Sequence, residues 1–150
     1  MKLLKPWAGN KKGFTLFEML LAISILIILL AITLPISLNF YNIYQFDSEV
    51  GTLISLLEKA RSSALANRNE SAHGFYFSST TFVIFQGSSY SSRAAALDKT
   101  FSRTGNVYLS GPSELVFSAL SGQTSSSTYN LSNGPRSENV YVNSEGTIIY

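Results

Sequence analysis

Cysteine is absent from the 150 residues, so the chain has neither a disulfide framework nor a thiolate metal site. This leaves an oxidising compartment open and removes only the covalent staple. Histidine occurs once, at His73, which argues against an imidazole-based metal centre. The sequence contains no HExxH, Gly-x-Ser-x-Gly or phosphate-loop pattern and no Cys/His ligand set. No enzyme activity and no cofactor is therefore expected, and His73 reads as a surface or turn residue rather than a base. Charge is also sparse, at 13% of residues, and from 19 to 46 no side chain carries any.

The net charge of +2 resembles that of a nucleic-acid binder only until its distribution is considered. Four of the eleven basic residues, Lys2, Lys5, Lys11 and Lys12, fall within the first twelve positions, and all nine acidic residues follow them. From residue 14 onward seven basic side chains face nine acidic ones, so the basicity belongs to the leader alone.

Between leader and remainder lies an apolar run, MLLAISILIILLAITL over 19–34. A helix needs about 20 apolar residues to cross a bilayer core of roughly 30 Å, and 14–38 meets that length. Its apolar character runs all round the helix, which suits lipid or a filament core rather than the flank of a soluble domain. Lysines precede the run, and the twenty residues after Leu38 hold Asp47, Glu49 and Glu58 without a lysine or arginine. The positive-inside bias then keeps the N-terminus cytoplasmic and sends the C-terminal part outward. A plain signal anchor fits this hydropathy equally well. A cleaved secretory signal would need a shorter apolar region and a small-x-small site, for which Ala31-Ile32-Thr33 is a weak candidate.

The residues ahead of the run distinguish these readings. Lys11-Lys12-Gly13-Phe14-Thr15-Leu16-Phe17-Glu18-Met19-Leu20 resembles the leader of type IV pilins and type II secretion pseudopilins. In that family a membrane peptidase cuts after the glycine and methylates the new N-terminal Phe. The resemblance implies cleavage between Gly13 and Phe14, N-methylation of Phe14, and an assembly role for Glu18 as the fifth mature residue. It also places Pro35 where the family often carries a proline. The implied partners are prepilin peptidase, other pilin or pseudopilin subunits, an inner-membrane assembly platform and membrane lipid.

Elementary chemistry accounts for these residue types. Glycine at the cut lets a protease approach the backbone closely. A carboxylate near the bilayer costs up to about 2.5–3.5 kcal/mol at its centre and so implies a partner; the family's partner is the free amine of Phe14 on a neighbouring subunit. Thr15-x-x-Glu18 is also a capping-box pattern, and an acidic first turn suits the helix dipole; the two roles are compatible. Pro35, lacking an amide hydrogen, reads either as a kink or as the end of the span.

Beyond Pro35, Phe46, Val50, Leu53, Leu57, Ala60 and Ala64 recur at steps of four and three, one face of an amphipathic helix to about Asn67. Phe40, Tyr41, Tyr44 and Phe46 read as a membrane–water boundary or as packing within the exported domain. After Asn69 the helical period stops. A hairpin is expected over 74–78 and 81–85, with further strands at 106–109, 114–120, 128–131, 139–143 and 147–150. Gly87–Ser92 and 121–127 read as serine- and glycine-rich loops.

The expected fold is α+β: a long N-terminal helix, transmembrane in its first half and amphipathic in its second, packed on a small antiparallel β-sheet headgroup. The expected division is a leader at 1–13, a membrane or filament-core helix at 14–38, its amphipathic continuation at 39–69, and an exported headgroup at 70–150. The pattern Ala60-Arg61-Ser62-Ser63-Ala64 leading to Arg68-Asn69, with Gly122 and Gly146 near the closing strands, resembles GspH/FimT-type minor pseudopilins. That resemblance implies a structural subunit of a type II secretion-like pseudopilus, with a type IV pilus subunit as the alternative. The chain would sit in the bacterial inner membrane as a single-pass protein, its headgroup periplasmic or extracellular in a filament. DNA is not an expected partner: the tail Glu145-Gly146-Thr147-Ile148-Ile149-Tyr150 has no arginine, and Arg93, Lys99, Arg103 and Arg136 are scattered.

Overall fold

The computed structural model of the chain describes residues 13–103, 105–134 and 136–150, with the side chains of 33–39 outside that description. The leader lysines lie outside the described residues. The chain divides into two units, Met1–Phe40 and Tyr41–Tyr150.

Helix α1 covers Leu16–Leu65 and contributes to both units. In the first unit every large apolar side chain from Leu16 to Ile32 is more than half exposed. Among the described residues no helix is long and apolar enough to cross a membrane. The described apolar stretch, 16–32, stops where the side chains of 33–39 are no longer described, short of the roughly 20 residues a bilayer core requires. The helix continues through Pro35, so the proline does not end it; its side chain, and with it the expected kink, falls outside the described residues.

The second unit is α+β, built from the C-terminal half of α1 and two four-stranded antiparallel sheets. The first has the order β3-β2-β1-β5, from Lys99–Ser102, Thr81–Gln86, His73–Phe77 and Glu114–Phe117. The second has the order β4-β6-β7-β8, from Tyr108–Ser110, Ser127–Asn133, Arg136–Val142 and Ile148–Ile149. The expected single sheet is thus two, and β3 was not among the expected strands. The expected apolar stripe of α1 is the buried face: Phe46, Val50, Leu53, Leu57, Ala60 and Ala64 all join one core with Phe75, Phe82 and Leu115 of the first sheet and Tyr129, Leu131 and Val140 of the second.

Helix α1 ends because Asn67 turns left-handed, at φ 47 and ψ 42, a conformation asparagine tolerates better than most residues. The Ala64 carbonyl accepts from the amides of Asn67 and Leu120, both at 2.9 Å. To donate that bond Leu120 adopts φ 65, which stops β5 at Phe117 although the apolar sequence runs on to Leu120.

The two sheets differ in how their faces are covered. Strand β2 is buried on both faces from Phe82 to Phe85. Phe82 and Ile84 enter the core, while the Phe85 ring lies across Gly74, its register partner, where a Cβ would collide with it. Tyr90, in the loop after β2, packs edge-on against Phe85 and stacks on Tyr76 at 3.7 Å between centroids. Arg93 covers the other face of Tyr90, also at 3.7 Å, and is bound to Asp98 at 2.7 Å. That hydrogen bond raises the Arg93 pKa above its ordinary value. In β6 buried residues alternate with polar ones that face outward, and there Asn130 donates to Asn139 and Ser137.

His73 is buried in β1, only 7% exposed, with Nε2 hydrogen-bonded at 3.1 Å to the Arg68 carbonyl. This corrects the expectation of a surface or turn residue: the strand begins one residue earlier than the apolar pattern does. Phe46 lies in the core while Phe40, Tyr41 and Tyr44 are exposed, so the four aromatics do not act as one cluster.

Tyr129 is fully buried, edge-on to Phe75 and Phe77, and its hydroxyl has no hydrogen-bond partner among the described residues. Burial raises its pKa well above the phenolic value. An unsatisfied buried hydroxyl costs about 1–3 kcal/mol, so Tyr129→Phe should stabilise the headgroup by about 1 kcal/mol in urea unfolding. The unfolded phenol ionises above about pH 10 and the folded one does not, so this residue removes stability as pH rises past that point. The variant should lose that share of the alkaline decline.

Candidate functional site

The expected processing and assembly residues stand at the start of α1. Gly13 precedes the helix, and among the described residues no atom outside its immediate chain neighbours lies within 4 Å of where a Cβ would project. Its backbone is open to an approaching enzyme. Phe14 follows, 80% exposed. Thr15 caps the helix: its Oγ1 accepts from the Glu18 amide at 3.2 Å, and Glu18 Oε2 accepts from the Thr15 amide at 3.4 Å. Both bonds are long for N–H···O contacts, whose usual separation is about 2.9–3.0 Å, so the box is formed but loose. Glu18 is thereby held by its own helix start while remaining exposed.

The sequence explains this local structure. Gly13 has no helix propensity, Thr15 supplies the capping oxygen, and the carboxylate of Glu18 sits where unpaired amides give the helix its positive end. From there the apolar flank described above begins. Residues 9–34 match the family model described as the prokaryotic N-terminal methylation motif. The chain carries a type IV pilin-like prepilin signal. Gly13, Phe14 and Glu18 all fall inside the matched stretch, and Pro35 lies one residue beyond it. The match covers the N-terminal stretch alone, and it supports a type IV pilin-like protein, a substrate of prepilin peptidase that assembles with other pilin subunits. Neither the curated proteins nor the solved structures hold a match to the chain.

Three of the four scattered cations are engaged with carboxylates. Arg93 binds Asp98 beside β3, and Arg136 reaches Asp47 on α1 at 2.9 Å. Arg103 is buried against Glu49 at 2.9 Å, their side chains 4% and 3% exposed. Glu49 therefore lies in the core, although its charge sets it apart from the apolar stripe. The remaining guanidinium donors of Arg103 bond the carbonyls of Ser78 at 2.8 Å and Val107 at 3.0 Å. One side chain thus joins α1, the β1–β2 turn and the approach to β4. Among the described residues no group of His, Asp and Glu is placed to hold a metal ion.

Arg61, Gly122 and Gly146 meet at the C-terminal end of α1, although they are far apart in sequence. Gly122, at φ 65, lies against Leu65 and the Arg61 stem, and Gly146, at φ 79, lies on the Gly122 carbonyl. A side chain at either glycine would overlap its neighbour. Arg61 Nη2 donates to the Glu145 carbonyl at 3.3 Å.

Proposed function

We propose that the protein is a minor pseudopilin, a structural subunit of a type II secretion-like pseudopilus. It is cut between Gly13 and Phe14, methylated on Phe14, and assembled through α1. The observation that carries this reading is the open Gly13-Phe14 bond set ahead of Glu18 and an exposed apolar helix. The apolar flank supports a membrane-inserted state before assembly and a subunit-packed state after it, with the headgroup outside the cytoplasm. The meeting of Arg61, Gly122 and Gly146 supports the GspH/FimT-type reading, because these are the residues on which that resemblance rests. The second reading, a type IV pilus subunit, shares the same N-terminal chemistry.

Mass spectrometry of the mature protein tests the proposal. Its N-terminus should begin at Phe14 and carry one methyl group. Gly13→Glu should leave only the unprocessed form, because a carboxylate side chain obstructs the open backbone. A mature protein that keeps its leader in the presence of active peptidase would refute the reading.

A further inference from the structure

Seven cations follow the leader, and four of them are accounted for: Arg93, Arg103 and Arg136 bind carboxylates, and Arg61 binds the Glu145 carbonyl. The other three are Lys59, Arg68 and Lys99. Among the described residues none of their charged groups has a carboxylate or carbonyl partner, and all three line one cleft of about 210 Å³. Among the described residues no carboxylate lines that cleft. Asp98, next to Lys99 in sequence, is held by Arg93.

The fold assembles this cleft from three separate places. Lys59 lies on the last turns of α1, beside buried Ala60. Lys99 opens β3 and pairs in register with Ile84 of β2. Arg68 sits on the turn after α1, where Asn67, Asn69 and Glu70 all hold left-handed backbones, with φ of 47, 53 and 51. For a glutamate that conformation is unfavourable. The turn is fixed from below: buried His73 bonds the Arg68 carbonyl, and Asn69 Nδ2 donates to Gln86 Oε1 at 2.8 Å. The apolar part of the lining includes Ile84, the register partner of Lys99, and exposed Leu97.

Lys59 Nζ lies 5.8 Å from the centroid of the Phe101 ring, but like charges that lack carboxylate partners around one concavity still repel one another and focus a positive potential into it. A compact, multiply charged oxyanion relieves that repulsion and accepts hydrogen bonds from lysine and guanidinium donors together. We propose that this cleft binds a phosphorylated ligand, its phosphate oxygens held by Lys59, Arg68 and Lys99 and its organic part against Ile84 and Leu97. A soluble phosphate ester and a phospholipid headgroup share this chemistry. The inference stands apart from the pilin reading, since it involves only the headgroup.

Equilibrium dialysis of radiolabelled pyrophosphate against the full chain in neutral detergent tests it. Saturable binding of one pyrophosphate per chain is expected, weakening as salt rises. The double variant Lys59→Gln/Lys99→Gln removes two exposed charges and should weaken binding by about tenfold or more. Lys11→Gln/Lys12→Gln and Arg136→Gln remove charge elsewhere and should leave it unchanged. Absence of saturable binding, or an equal loss in these controls, overturns the site. Displacement of pyrophosphate by a hexose phosphate supports a soluble ester, and displacement by micelles containing phosphatidic acid supports a headgroup. Displacement by neither overturns the organophosphate assignment.

Discussion

Arg103→Ala should destabilise the headgroup by about 3–5 kcal/mol, the loss expected when one partner of a buried ion pair is removed. The cost comes less from the missing attraction than from what remains. Glu49 stays behind at 3% exposure without its cation, and the carbonyls of Ser78 and Val107 lose their donors. A unit of this size is stable by about 5–15 kcal/mol, so the loss is a large fraction of the total. Urea unfolding followed by tyrosine fluorescence measures it. Replacing both partners, as Glu49→Leu/Arg103→Met, should recover most of the stability, because apolar residues of similar volume need no ion partner in the core. A single variant that unfolds within about 1 kcal/mol of the parent would show that the pair contributes little.

Glu18→Ala should leave cleavage and methylation intact and reduce incorporation into filaments by at least about tenfold. A carboxylate about 4 Å from an amine attracts it by roughly 4 kcal/mol at an effective dielectric near 20, before desolvation. If only a third of that survives, the factor of ten is reached. Glu18→Gln separates the two roles of this residue. Glutamine keeps the capping box with Thr15 but cannot pair with the Phe14 amine of another subunit. If charge pairing governs assembly, both variants fail; if capping governs it, the glutamine variant assembles normally. The ratio of sheared filament to total protein is the measurement.

The residues of this N-terminal segment were legible because their chemistry is local: glycine, capping threonine, acid and apolar run follow one another directly. The buried stripe of α1 and the β1–β2 hairpin were legible for the same reason, each showing its period within a short window. Strand β3 was not, since Lys99-Thr100-Phe101-Ser102 offers one apolar residue and is held by pairing with β2 rather than by its own pattern. The Glu49–Arg103 pair spans 54 residues, and nothing in the neighbourhood of either residue announces the other. Both charged side chains are nevertheless buried. The cleft cations were hidden likewise, because Lys59, Arg68 and Lys99 are brought together only by the turn after α1 and the register of β3. The division into two sheets followed from strand order, which periodicity does not encode.

The unequal covering of the two sheets sets where this protein can change over generations. Between Phe82 and Phe85 strand β2 has neither face in solvent, so a substitution there disturbs either the core or the Tyr90 stack. The outward positions of β6 and β7, among them Thr128, Asn139 and Tyr141, carry no such constraint. Sequence drift should accumulate on that second face while the first stays nearly fixed.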